Sequence, residues 1–208
     1  MHSLRFRQVH LDFHTSPDIA GIGAAFDRRQ FQDALKRGHV DSITCFAVCH
    51  HGWSYNETEV GKMHPHLHFD LLRAQYDAAK EIDVNVPVYI SAGLNCRVAA
   101  EHPDWREMEP DGRYGGRSSS PLQAGFKNLC FNGPYMDHLA DLIRETARLF
   151  PDCDGIFLDI IRQGQCCCPY CMAAMEEEGL DPLKEEDRRT MARLSLEKYY
   201  RMSSEACR

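Results

Sequence analysis

Four of the ten cysteines in this 208-residue chain fall between positions 166 and 171, inside GQCCCPYCMAAMEEEG (residues 164–179). Three chemistries are open to them. Cys168-Pro169-Tyr170-Cys171 has the Cys-x-x-Cys spacing of an exchanging dithiol, and a helix starting there would favour a thiolate. Alternatively, Cys166, Cys168 and Cys171 with Cys130 from upstream supply four thiolates, the set that tetrahedral Zn(II) takes in a closed structural site, leaving Cys167 a bystander. The third option is a group of plain thiols. The dithiol option needs further strands after the motif, and the chain beyond Cys171 has helical periodicity instead, so a thiol-disulfide oxidoreductase is the weakest of the three.

Asp159 interrupts an apolar stretch, DGIFLDII (residues 154–161). A carboxylate at the end of a buried strand is costly unless it is paired or working. It either caps the following turn or acts as a nucleophile on an anomeric carbon, with a second carboxylate protonating the leaving oxygen. His14, His50, His51 and Asn95 also stand at strand ends, and Trp53 and Tyr55 add aromatic faces to HHGWSY (residues 50–55). Imidazoles beside aromatic rings suit a polar ligand such as a sugar. His64, His66 and His68 with His50 or His51 form a rival metal set, and solvated loop histidines a third option. Trp105 is a second stacking platform or an anchor for its loop. No glutamate stands at a strand end, which leaves the acid/base unassigned.

These residues need strands to carry them. QVHLDFH (residues 8–14) alternates with the period of a strand, and residues 43–49 form the near-continuous apolar run of a parallel strand covered on both faces. Strands three and four fall at VPVYISAGLN (86–95) and DGIFLDII, with helices at 26–39, 69–82, 134–150, 168–179 and 181–206. A long excursion, residues 96–133, holds most of the Gly, Ser and Pro punctuation, and long loops are usually functional or disordered. Strands separated by helices require parallel pairing. The order is that of an α/β fold: an open sheet, or the first four strand–helix units of a (β/α)8 barrel, with chemistry at the C-terminal strand ends. Gly21-Ile22-Gly23-Ala24-Ala25 lacks the third glycine of a dinucleotide-binding turn.

Cys130 with C-x-C-x-x-C after the fourth strand resembles the structural zinc site of the trimeric beta-galactosidases. The likeness covers residues 128–175 and departs at one point. Those enzymes end strand four in Asn-Glu, the Glu being the acid/base, where this chain has Leu158-Asp159-Ile160.

HLDFHTSPDI, ITCFAVCHHGWSYNETEVGKMHPHL, VPVYISAGLN, EHPDW and DGIFLDI, spread over residues 8–171, resemble the hypothetical glycosyl hydrolase six family. Its members are TIM-barrel proteins related to alpha-L-fucosidases and the beta-galactosidase superfamily. The fucosidases bind sugar hydroxyls with a His-His-(Asp)-Gly-aromatic segment, which His50-His51-Gly52-Trp53 resembles without the Asp. Their nucleophile is an Asp ending strand four, where Asp159 falls. The resemblance implies one partial glycosidase barrel over 1–208, with a cysteine-rich loop at 162–172, and a family continuing beyond residue 208. It implies hydrolysis of O-glycosidic bonds by Asp159 and sugar contacts from His14, His50, His51, Trp53, Tyr55 and Asn95. Structural Zn(II) on Cys130, Cys166, Cys168 and Cys171 completes the expectation. The alternative is a catalytically incomplete carbohydrate-binding or assembly half-barrel.

Composition limits the partners. Lys and Arg number 24 against 31 Asp and Glu, a net charge of −7, and no basic stripe interrupts that balance. Nucleic acid is therefore excluded, since phosphate binding needs clustered cations. No apolar run approaches a membrane span and no signal-peptide pattern opens the chain, so the cytosol is the expected compartment. Ten cysteines in such a chain point to reduced or metal-bound thiols rather than a disulfide scaffold. A carbohydrate is the expected partner, with a second copy of the chain as an option.

Overall fold

The computed structural model describes residues 5–115 and 125–208, so part of the predicted excursion, residues 116–124, lies outside the described residues. The chain divides into two compact units, Met1–Ile90 with Glu145–Leu158, and Ser91–Arg144 with Asp159–Arg208.

Four strands form one sheet in the order β1-β2-β3-β4: β1 Gln8–His10, β2 Ser42–Val48, β3 Val88–Ser91 and β4 Ile156–Asp159. β1 pairs with β2, and β2 with β3, in parallel. Along the β3–β4 seam, Val88 N–H donates to Gly155 C=O (2.9 Å) and Ala92 N–H to Asp159 C=O (3.0 Å). Both chains advance in the same sense between those bonds, which is parallel pairing. The connecting helices are α1 Arg28–Arg37, α2 Leu71–Lys80, α3 Cys96–Glu101 and α4 Tyr135–Leu149, followed by α5 Pro169–Glu177 and α6 Glu185–Ala206. This is the α/β fold of (β/α)8 type expected, represented by four strand–helix units.

Local chemistry explains the boundaries. Asp27 and Asp70 cap α1 and α2 by accepting from Gln30 N–H and Arg73 N–H, each at 2.7 Å. Every residue of β2 is buried, the pattern of a central strand covered on both faces. β1 is shorter than its alternating pattern predicts. The ladder ends where Leu11 N–H reaches Thr44 C=O (3.3 Å), and by Thr15 the backbone N–H points to the Tyr55 hydroxyl (3.1 Å) instead. β4 stops at Asp159 because Ile160 turns to φ +56°, outside the extended region. The described part of the excursion holds only short elements, α3 and a 3₁₀ turn, Pro103–Trp105.

In the first unit, Phe46 and Tyr89 stack at 3.8 Å within a core that includes Tyr55, Leu67 and Leu71. Glu145 in α4 is buried and accepts from Thr58 Oγ1 (2.5 Å) and Glu59 N–H (2.6 Å), closing the loop after β2. Asp154, at the entry to β4, accepts from Lys80 Nζ (2.9 Å) at the end of α2 and from Val86 N–H (2.7 Å) before β3. The second unit has its own core of Cys130, Cys166, Cys168, Cys171, Met175 and Met191. Phe131 stacks there on Tyr199 at 4.5 Å.

Candidate functional sites

The histidines of the first unit gather where β1 and β2 end. The rings of His14 and His50 stack with centroids 3.8 Å apart. His50 N–H donates to His14 Nδ1 (3.1 Å), and His14 Nε2 lies 2.9 Å from Asp12 Oδ1. An Nδ1 that accepts a backbone N–H is deprotonated, so the ring proton sits on Nε2 and is directed at Asp12. The Tyr89 hydroxyl is 3.5 Å from His50 Nδ1. His51 and Trp53 are half-buried on the following turn, Trp53 with Lys62 Nζ 5.9 Å above its ring. Burial lowers the pKa of His51, helped by nearby His64.

His64 serves the fold. Its side chain is buried, with Nε2 donating to Ser16 C=O (3.0 Å) and Nδ1 accepting from His66 N–H (3.2 Å). Both nitrogens being engaged, the rival histidine metal set loses its central member. Tyr55 departs from its expected part as a sugar platform. It is 1% exposed, and its hydroxyl bonds Thr15 Oγ1 at 2.6 Å, so both ring and polar tip are spent on the core.

Asn95 and Asp159 belong to the second unit. Asn95 is fully buried and its Oδ1 accepts from Val98 N–H (2.9 Å), capping α3. Its oxygen therefore serves as a helix cap, whatever its amide nitrogen contacts. Asp159 ends β4 with a half-buried side chain, and its carbonyl receives both Ala92 N–H (3.0 Å) and Gly93 N–H (3.3 Å). Trp105 lies flat on His102 at 3.8 Å, and its carbonyl accepts from Cys130 N–H (2.8 Å), which makes it an anchor of the loop.

Cys130, Cys166, Cys168 and Cys171 are all buried, with their sulfurs within 4.8 Å of one another. The Cys130–Cys171 and Cys130–Cys168 sulfur separations are 3.4 and 3.6 Å. A tetrahedron with metal–sulfur bonds near 2.3 Å has edges of about 3.8 Å, so the cluster fits a divalent ion of that size. Cys168 is the residue before α5, whose first position is Pro169. Backbone amides already face the sulfurs: Met108 N–H to Cys166 (3.3 Å), Asn132 N–H to Cys130 (3.4 Å) and Cys168 N–H to Cys166 (3.4 Å). Contacts with Cys130, Cys166 and Cys171 push the Cys168 pKa down, while Cys130 and Cys168 push Cys166 up and Cys130, Cys166 and Cys168 push Cys171 up. A dication at this position would favour the thiolate form of its ligands. Cys167 turns away, towards Gln165 C=O (3.8 Å). With Cys168 and Cys171 at 0% and 1% exposure, a disulfide substrate has no line of attack.

Two further residues in these surroundings carry no mark in the sequence. Asp12 sits between alternating strand residues, and only the turn of the chain brings it to His14. Glu107 is buried and stitches the excursion to the loop after β4, accepting from Gly164 N–H (2.5 Å) and Asn128 Nδ2 (2.9 Å) with Arg162 at 3.6 Å. Burial raises its pKa against those contacts. Nothing in REMEP distinguishes it from a solvated loop carboxylate.

Comparison with known proteins bears on these sites. The family described as hypothetical glycosyl hydrolase 6 matches residues 27–160, more than half of the chain. Alpha-L-fucosidase isoenzyme 2 from Paenibacillus thiaminolyticus is 43% identical and superposes with a TM-score of 0.94, over 98% of this chain and 31% of its own. The chain thus spans less than a third of that fucosidase. Gan42B, a GH42 beta-galactosidase from G. stearothermophilus, shares the fold at 15% identity and a TM-score of 0.63, over 84% of this chain and 30% of its own. A hypothetical protein from Ruminiclostridium thermocellum shares it at 13% identity and 0.55, over 86% of this chain and 90% of its own. No curated protein sequence matches.

Proposed function

Since the chain belongs to the hypothetical glycosyl hydrolase 6 family, we propose that it carries part of the catalytic barrel of a glycoside hydrolase, with Asp159 as nucleophile and α-L-fucosides as the substrate class. The observation that carries this reading is the placement of Asp159 as the last residue of β4, the strand end at which barrel enzymes assemble their chemistry. In the reaction a carboxylate oxygen of Asp159 bonds the anomeric carbon as the bond to the leaving oxygen breaks. The leaving oxygen takes a proton from an acid, and water then releases the sugar from the ester. His50 supplies a sugar-binding imidazole with His51 and Trp53 at its margin, and His14, its two ring nitrogens engaged by His50 N–H and Asp12, holds the His50 ring in place. The stacked pair, held by Asp12 and a backbone N–H, is already ordered for that part, which lowers the entropy cost of binding.

Cys130, Cys166, Cys168 and Cys171 hold Zn(II) in this reading. Bound there, the ion supplies a cross-link and no water activation, because four sulfurs fill its coordination. It pins residues 162–172 directly after Asp159. Such a thiolate site, among ten reduced cysteines, suits the cytosol.

Hydrolysis of 4-nitrophenyl α-L-fucopyranoside tests the proposal. Turnover that Asp159→Asn abolishes is the expected result, and turnover unchanged by that substitution overturns it. In a second reading the chain is a catalytically incomplete carbohydrate-binding or assembly half-barrel. Sugar binding without turnover in the wild-type chain selects it.

A further inference from the structure

The chain turns sharply after Asp159, and the turn is built by residues with no chemistry of their own. Ile160 sits at φ +56°, a left-handed conformation that a β-branched side chain rarely adopts. Such conformations persist only where the surroundings over-determine them.

Here the surroundings are main chain. Ala92 and Gly93 both donate their N–H groups to the Asp159 carbonyl, at 3.0 and 3.3 Å. That donor pair is itself held: buried Tyr135 donates its hydroxyl to Ala92 C=O (2.6 Å), Leu129 N–H donates to Gly93 C=O (3.1 Å), and Ser91 Oγ donates to Leu94 C=O (2.5 Å). The Ile160 carbonyl then occupies the place where a side chain on residue 93 would begin. A Cβ there would meet Ile160 O at 2.0 Å. Both groups are backbone, so no rotamer change relieves the clash. Gly93 is required for space.

We propose that Gly93 and Ile160 are positioning residues for Asp159. The bare Cα of Gly93 admits the Ile160 carbonyl, the seated carbonyl fixes the left-handed turn, and the turn sets the direction in which the Asp159 carboxylate leaves β4. This rests on Asp159 as nucleophile. A methyl group at position 93 expels the Ile160 carbonyl and rotates the 160–161 peptide, which releases the left-handed turn and shifts the neighbouring Asp159 carboxylate; a misplacement of about 1 Å at a reacting atom costs on the order of 100-fold in rate.

Four proteins test this: wild type, Gly93→Ala, the double variant Gly93→Ala with Ile160→Gly, and Asp159→Asn. Each is measured for aryl α-L-fucoside hydrolysis, for calorimetric binding of a cationic iminosugar that pairs with the nucleophile carboxylate, and for its melting temperature. Gly93→Ala is expected to lower kcat by roughly 10- to 100-fold with KM changed by less than about threefold. In the double variant, glycine at 160 lets the peptide swing clear of the methyl group. Its melting temperature recovers, while kcat and iminosugar affinity stay low. Recovery of kcat together with the melting temperature overturns the proposal, since Gly93 then only packs. Asp159→Asn with wild-type activity removes the nucleophile reading itself, a separate failure. Where the chain binds without turnover, the iminosugar decides: affinity lost in the double variant supports positioning, and equal affinity refutes it.

Discussion

His14 and His50 lie face to face, ring planes 18° from parallel, with the backbone N–H of His50 bonded to Nδ1 of His14. One contact therefore fixes both the tautomer and the plane of His14. His14→Ala should weaken sugar binding by roughly 10-fold, because the His50 ring loses the stacked imidazole that orders it. Calorimetry against the iminosugar measures it, and an unchanged affinity would remove His14 from the site.

The cysteine cluster predicts one tightly bound zinc per chain by elemental analysis. Cys171→Ala, buried at the centre of the second unit's core, should abolish retention of the metal. Removing the cross-link at a cost of ~3 kcal/mol would lower the melting temperature by roughly 6–12 °C. A chain that retains no metal after preparation in zinc-supplemented medium contradicts the assignment.

Glu107 predicts a coupled effect. Glu107→Ala leaves Gly164 N–H and the Asn128 amide without their acceptor and should destabilise the chain by about 2–3 kcal/mol in urea. The neighbouring Met108 donates its N–H to Cys166 Sγ and accepts from Cys167 N–H at 2.7 Å. Zinc should therefore be held some 10- to 100-fold more weakly, as when any support of a ligand is cut. Competition with a chromogenic chelator reads that change.

His64 predicts an acid slope. Burial lowers its pKa below the ordinary 6.5, so the unfolded chain takes up the proton first as pH falls. Its stabilisation is complete above about pH 6.5 and is lost as pH falls through the lower, folded value. Urea midpoints measured between pH 7.5 and 5 should decline, and His64→Gln should flatten that decline after a loss of ~1–2 kcal/mol at neutral pH. Equal slopes would assign the acid lability elsewhere.

Most of the frame is legible in the chain because its signals are local. The apolar run of β2, the Asp27 cap and the amphipathic stripe of α4 each depend on neighbours a few positions away. Three of the four clustered cysteines are legible for the same reason, and Cys130 is legible as the upstream thiol that completes a tetrahedral set, although only folding brings it to them. The illegible part is what only tertiary contact decides. Tyr55 has the composition of a sugar platform and becomes core because Thr15 returns to its hydroxyl. Asn95 spends its oxygen on Val98. Glu107 and the left-handed Ile160 have no sequence mark, since burial of one carboxylate and a backbone collision at Gly93 are properties of the assembled chain.

Asp154 fastens the entries of β3 and β4 to the end of α2 through Lys80 and Val86. The entry ends of those strands are thus held together by one side chain, five residues before Asp159. Loss of that one carboxylate would loosen two strand entries and a helix end together.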